Sequence, residues 1–276
     1  MVKLKKLYTF FAIGISLLPI ANAQAAIQFS GEIQQGGLIV GKTEANSTVT
    51  LNDKTLSVSP QGDYVFAFSR DDTEQYTLTV TSPTGTVETQ TFTPKKREYK
   101  ISRVEGISKT IMNPNKKANI RAGEDRDAMV KVRKISSDLT DFSQGFIAPR
   151  NARITGVYGS QRFYNGVPKN PHYGVDYAGP IGAPVKAPAS GTVLLWVPDM
   201  FYSGGTLVID HGHGITSNFL HLSASLVKVG DKVKQGQVIA KVGNSGRVTG
   251  PHLDWRMNWH SVRFDPELAM KVIPIN

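Results

Sequence analysis

Residues 250–259 read GPHLDWRMNW, and the stretch 171–180 reads PHYGVDYAGP. Taken as a strand, the first of these alternates its side chains, so His252 and Asp254 point to one face while Leu253 turns into a core. The second supplies His172 and Asp176 within a single short turn of chain. Imidazole and carboxylate are borderline and hard donors, and together they can give a zinc ion three protein ligands with a fourth position left for water. That is the arrangement of a catalytic rather than a structural site. The chain has no cysteine, which excludes thiolate zinc knots, cysteine nucleophiles and disulfides.

Further pieces stand in order around these two. They are ITGVYGSQR from Ile154 to Arg162, GAPVKAPASGTV from Gly182 to Val193, GGTLVIDHGHG from Gly204 to Gly214, FLHL with His221, and VKVGDKVKQGQVIAKVGNSG from Val227 to Gly246. With HxxxD at His172 and Asp176, this series from about Gly145 to Pro266 resembles the lysostaphin-type (LytM-type) zinc metallopeptidases. The resemblance implies an antiparallel β-sheet groove, one zinc ion bound by His172, Asp176 and Asp254, and catalytic roles for His221 and His252. It also implies peptidoglycan as partner, cut at a peptide bond of its stems or cross-links. One position departs from the pattern: the closing HxH is met only by His252, and Asp254 stands where the family has its third zinc ligand. Two carboxylates and one neutral histidine bring a Zn²⁺ site to zero formal charge, where one carboxylate and two histidines leave +1, and a less positive site acidifies its water less. The reading from another class is a catalytically inactive relative that binds cell wall or activates an amidase.

The other histidines have simpler readings. His211 and His213 are taken as turn residues, since Asp210, Gly212 and Gly214 make DHGHG a hairpin corner after the apolar TLVI. His260, after WRMNW, is taken as structural or exposed.

At the start of the chain, Lys3, Lys5 and Lys6 precede the apolar LYTFFAIGISLLPI, and Ala21-Asn22-Ala23 offers a cleavage site. Residues 1–23 therefore read as a signal peptide, with export to the periplasm or cell envelope and no transmembrane helix in the mature protein. Without the three signal lysines the charge is 29 basic against 22 acidic residues, or +7. Residues 95 to 134 hold 13 of those bases against 5 acids. Such a surface attracts polyanions. No nucleic-acid module is present and export argues against nucleic acid, so an anionic envelope surface is the better partner.

The predicted fold is mainly β. Residues 24–94 carry short alternating runs (STVTLN, TLSVS, YVFAF, YTLTVT, TVETQTF) and resemble a small immunoglobulin-like β-sandwich. Residues 95–143 form a basic linker with a possible helix, and residues 144–276 form the antiparallel metallopeptidase domain, large enough for one core.

Overall fold

The computed structural model describes residues 27–106, 112–113 and 115–275. The expected signal peptide lies outside the described residues.

The first seven strands build two small antiparallel sheets. Gln28–Ser30, Leu38–Lys42 and Asp63–Ala67 form one, and Lys54–Leu56, Thr48–Leu51, Tyr76–Thr81 and Val87–Phe92, in that spatial order, form the other. The alternation in Tyr76–Thr81 explains the second sheet: Leu78 and Val80 are fully buried while the threonines between them lie at the outer face. Aromatic rings close the space between the sheets, with Phe66 stacked on Phe92 at 6.0 Å and Phe68 edge-on to Phe66 at 5.6 Å.

The basic segment is built into the molecule rather than strung between two bodies. Ile101–Val104 pairs in parallel with Gln161–Tyr164, which pairs in turn with Val167–Pro168. Next comes a helix, Lys116–Arg133, opened by Asn115, whose side chain accepts from the backbone N–H of Ala118 at 2.9 Å. Only Val132 of this helix is buried, so polar contacts hold it in place: Asp125 accepts from the Phe201 amide at 2.7 Å and Arg121 pairs with Asp199.

The C-terminal half is one large antiparallel sheet of ten strands. Its central order runs Gly191–Met200, Gly204–Gly212, Ile215–Ser225, His252–Trp259, Val175–Ala178, Ile154–Gly156. The strand His252–Trp259 decides the layering. Leu253, Trp255 and Met257 are all fully buried on one face, packed in the same core as Phe219, Leu207 and Ile209. His252, Asp254, Arg256 and Asn258 therefore share the opposite face, where the helix Lys116–Arg133 and the Gln161–Tyr164 strand stand as walls.

Several contacts join the two parts of the chain, three of them around Arg70, Arg97 and Tyr99. Arg97 reaches Asp265 at 2.9 Å, the Arg70 Nε–H donates to the Gly159 carbonyl at 2.7 Å, and Tyr99 meets Tyr158 edge-on. Among the described residues no helix is long and apolar enough to cross a membrane.

Candidate metal centre and its histidines

Register brings the two motifs together. Val175–Ala178 and His252–Trp259 are antiparallel neighbours with Asp176 directly opposite Asp254, so the two carboxylates sit side by side on one face. Both need room that a side chain would deny. A Cβ on Gly174 would lie 2.4 Å from Asp254 Oδ1, and one on Gly156 would lie 2.2 Å from Asp176 Oδ2. His172, just before the strand, turns its ring over the pair, with Nε2 at 3.0 Å from Asp176 Oδ1 and 3.4 Å from Asp254 Oδ2.

These three residues form a group whose ligand atoms all lie within 4.8 Å of one another, and all three are buried. Inside it, His172 Nε2 and Asp176 Oδ1 are buried without a hydrogen-bond partner. Buried polar atoms left unpaired cost on the order of 1–3 kcal/mol each, and a divalent cation between them removes that cost. One imidazole and two carboxylates are an acceptable donor set for such an ion. The protein's own charges anticipate it: burial opposes a charged His172, yet the Asp254 and Asp176 carboxylates together overcome it and raise the imidazole above its ordinary range. A cation is wanted where only a proton is otherwise available.

Asp254 has a second partner that the motif reading missed. Arg256, two residues on along the same strand face, donates Nε–H to both Asp254 oxygens at 3.0 and 3.1 Å and Nη2–H to Oδ2 at 2.6 Å. Burial opposes ionisation of Asp254, but Arg256 and then His172 overcome it and hold the carboxyl well below its usual range. Arg162 stands in a similar relation to Asp176, Nη2 to Oδ2 at 3.3 Å. The period of two that put His252 and Asp254 on one face was the signal for Arg256 as well.

His221 and His252 lie across from the cluster with ring centroids 4.9 Å apart, and His252 Nε2 is 3.9 Å from Asp176 Oδ1. His221 interrupts the regular strand with a left-handed backbone, φ 63°, a conformation that costs a non-glycine residue about 1 kcal/mol or more. Its amide donates to Ser203 O at 2.8 Å and so leaves the ladder. All three imidazoles are fixed in the same way. Nδ1 of His172, His221 and His252 faces the carbonyl of Val157, Ser245 and Gly250 at 3.2, 2.9 and 2.8 Å. A carbonyl only accepts, so each neutral ring carries its proton on Nδ1 and offers a lone pair at Nε2. Burial pushes His221 down to about 4, which keeps that lone pair free across the neutral range.

His211 and His213 do not belong to this group among the described residues. His211 lies inside the strand Gly204–Gly212, fully buried, with Nδ1 at 2.6 Å from Ser190 O and Nε2 at 2.9 Å from Ser217 Oγ. The hairpin corner sits one step later than the sequence suggests, at His213 and Gly214 with φ 47° and 80°. His260 has the same left-handed backbone and packs against Trp259.

Comparison with known proteins gives a consistent picture. The model of Peptidase family M23 matches residues 170–266. Peptidoglycan DD-endopeptidase ShyA of Vibrio cholerae is 46% identical over 101 residues, 37% of this chain and 23% of the relative. DD-carboxypeptidase/endopeptidase Mpg of Neisseria gonorrhoeae is 42% identical over 84 residues, 30% of this chain and 19% of the relative. The chain thus spans about a quarter or less of the length of these curated relatives. A crystal structure from Pseudomonas aeruginosa, described as a peptidase M23, superposes with a TM-score of 0.66 at 26% identity, covering 87% of this chain and 96% of that one.

Proposed function

We propose that this chain is an exported zinc metalloendopeptidase that hydrolyses peptide bonds in peptidoglycan stems or cross-links, a reading supported by the match of residues 170–266 to Peptidase family M23. The observation that carries the reading is the convergence of His172, Asp176 and Asp254, with two unpaired buried donor atoms, opposite two histidines that present Nε2. The names of the relatives, peptidoglycan endopeptidases, supply the substrate class. In this reading the protein acts in the periplasm or cell envelope.

Zinc held by His172, Asp176 and Asp254 would supply Lewis acidity toward a peptide carbonyl and make a water nucleophilic near neutral pH. The remaining work falls to the chain. His221 and His252 share the proton work: the Nε2 lone pair of one accepts the proton of the attacking water and the imidazolium so formed returns it to the leaving amine, while the other ring lies where, once protonated at Nε2, it hydrogen-bonds the developing oxyanion. Ser245 and Gly250 orient both rings through Nδ1, and Arg162 and Arg256 pair with the two carboxylates and fix them in place.

A second reading, a non-hydrolytic wall-binding relative or amidase activator, draws on one observation: Arg256 engages both oxygens of Asp254. Metal content separates the two. His172→Ala should lose zinc and wall digestion together, whereas His221→Ala should keep a full equivalent of zinc and lose rate. Full zinc and activity in His172→Ala would remove the proposed site.

A further inference from the structure

Beyond Arg256 the same sheet face opens into a cavity of about 120 Å³ lined by Arg133 from the end of the helix and by Arg256, Arg263, Asn218 and Asn258 from the sheet side. Three guanidinium groups around one small space are a costly arrangement unless an anion joins them. Of these three arginines only Arg256 has an ion-pair partner among the described residues, Asp254, and that carboxylate already faces the metal cluster, while Arg263 lies over the Tyr173 ring at 4.4 Å. Arg133 Nε is buried without a partner. So is Nδ2 of Asn258, a residue 2% exposed, whose Oδ1 is taken by the Asn218 amide at 2.9 Å. Burial lowers Arg133 to about 10, with Arg263 and Arg256 adding to the shift, the mark of like charges held together out of water. The cavity borders the candidate site: Leu220, next to His221 in the chain, Ser203, whose carbonyl accepts from the His221 amide, and Arg256, which holds Asp254, all line it.

We propose that this three-arginine cavity is a carboxylate-binding subsite that holds an acidic group of the peptide lying in the groove, with Arg133 and Asn258 supplying the unspent donors. A carboxylate fits the volume, and guanidinium forks are the natural match for its two oxygens. The assignment rests on the peptidase reading for its choice of ligand. It makes Arg133, on the helix from the basic segment, a specificity-determining residue.

The test is calorimetric titration of the full chain carrying His221→Ala to silence turnover. The probes are a stem tetrapeptide with free carboxylates, the same peptide with its carboxylates amidated, and inorganic phosphate. The free peptide should bind at least about tenfold more tightly than its amide. Arg133→Met should erase that preference without weakening the amide, and Arg133→Lys should restore part of it. Without any probe, Arg133→Met should melt no lower than its parent, since it relieves repulsion. Equal affinity for peptide and amide, or phosphate bound as tightly as the peptide, overturns the proposal. So does an Arg133→Met variant that weakens both peptides alike. Hydrolysis by the chain with His221 intact, of both the free peptide and its cross-linked dimer, is followed beside it. Absent hydrolysis with the preference intact would sink the peptidase reading and leave the carboxylate site standing.

Discussion

At position 254 a carboxylate stands where the resemblance calls for an imidazole, and the sequence alone suggested a site one charge less positive. Arg256 corrects that count. Its guanidinium lies on both oxygens of Asp254, so zinc, two carboxylates and one arginine sum to +1, the value of a two-histidine site. The pair replaces a single histidine in charge. A consequence follows for exchange at this position: Asp254→His alone takes away the acceptor that Arg256 uses and adds charge. It should weaken zinc binding by about 10–100-fold, the usual effect of losing a ligand's outer partner. Asp254→His with Arg256→Gln should recover most of the loss, since a glutamine carbonyl can accept the free imidazole N–H. Competition with a chelator measures this in all four proteins of the cycle, and additive losses would show the two residues to be independent. His172, Asp176 and Asp254 were legible because short motifs fix them. Arg256 was equally within reach of the period-two pattern, but an arginine beside a ligand is not itself a ligand and no motif marked it.

The strands set the precision of the site. Asp176 and Asp254 are opposite each other only in the observed register, and Gly174 keeps the space beside Asp254 open. Gly174→Ala should therefore cost about tenfold or more in zinc affinity by pushing the carboxylate off its ligand position, with the fold otherwise kept. Chelator competition and a melting curve together check it, and unaltered affinity would show that the strand yields. His211 gives the strand Gly204–Gly212 a different sensitivity. Its ring is fully buried, and burial lowers it to about 4 against an ordinary value near 6.5. The native state keeps it neutral. Its stabilising contribution is complete above pH 6.5, and as pH falls toward 4 the unfolded chain binds a proton that the native one refuses. The loss across that window is about 3 kcal/mol. In urea unfolding, the fall in stability between pH 6.5 and 4 should be flatter for His211→Gln than for the parent, and parallel curves would show that His211 titrates normally. The glycines of DHGHG indicated the corner correctly to within a residue. They could not show that the strand runs far enough to bury His211, because burial depends on Ser190 and Ser217 from other parts of the sheet.

At the scale of the whole molecule, the sequence divides the chain into a β-rich front, a basic linker with a possible helix and a β-sheet domain, a division that would let the last of these stand alone. The contacts argue otherwise. Ile101–Val104 pairs with Gln161–Tyr164, the strand that carries Arg162 to Asp176, and Arg97 reaches Asp265 across the molecule. A chain starting at Gln144 removes that strand partner and the helix that bears Arg133. It should melt several degrees below a chain starting at Lys95 and hold zinc less tightly, as comparison of the two by calorimetry would show. Equal melting would mean that the segment is only a connector. The helix itself was expected within the basic segment, but its docking and the strand were not legible: a four-residue strand pairing in parallel across about sixty residues leaves no local pattern, and a helix with one buried side chain has no apolar stripe to say where it packs. The antiparallel sheet around the metal cluster was expected from the resemblance, and its longer strands, Gly204–Gly212, Ile215–Ser225 and His252–Trp259, stand out in the sequence as apolar or alternating runs.

The most direct test of the central claim is mass analysis of wall fragments released when the zinc-loaded full chain is incubated with purified sacculi. Cross-linked muropeptides should disappear and monomeric ones accumulate through cleavage of a peptide bond, with the glycan chains intact. Unchanged cross-linked fragments, in the presence of a full equivalent of bound zinc, would contradict the account.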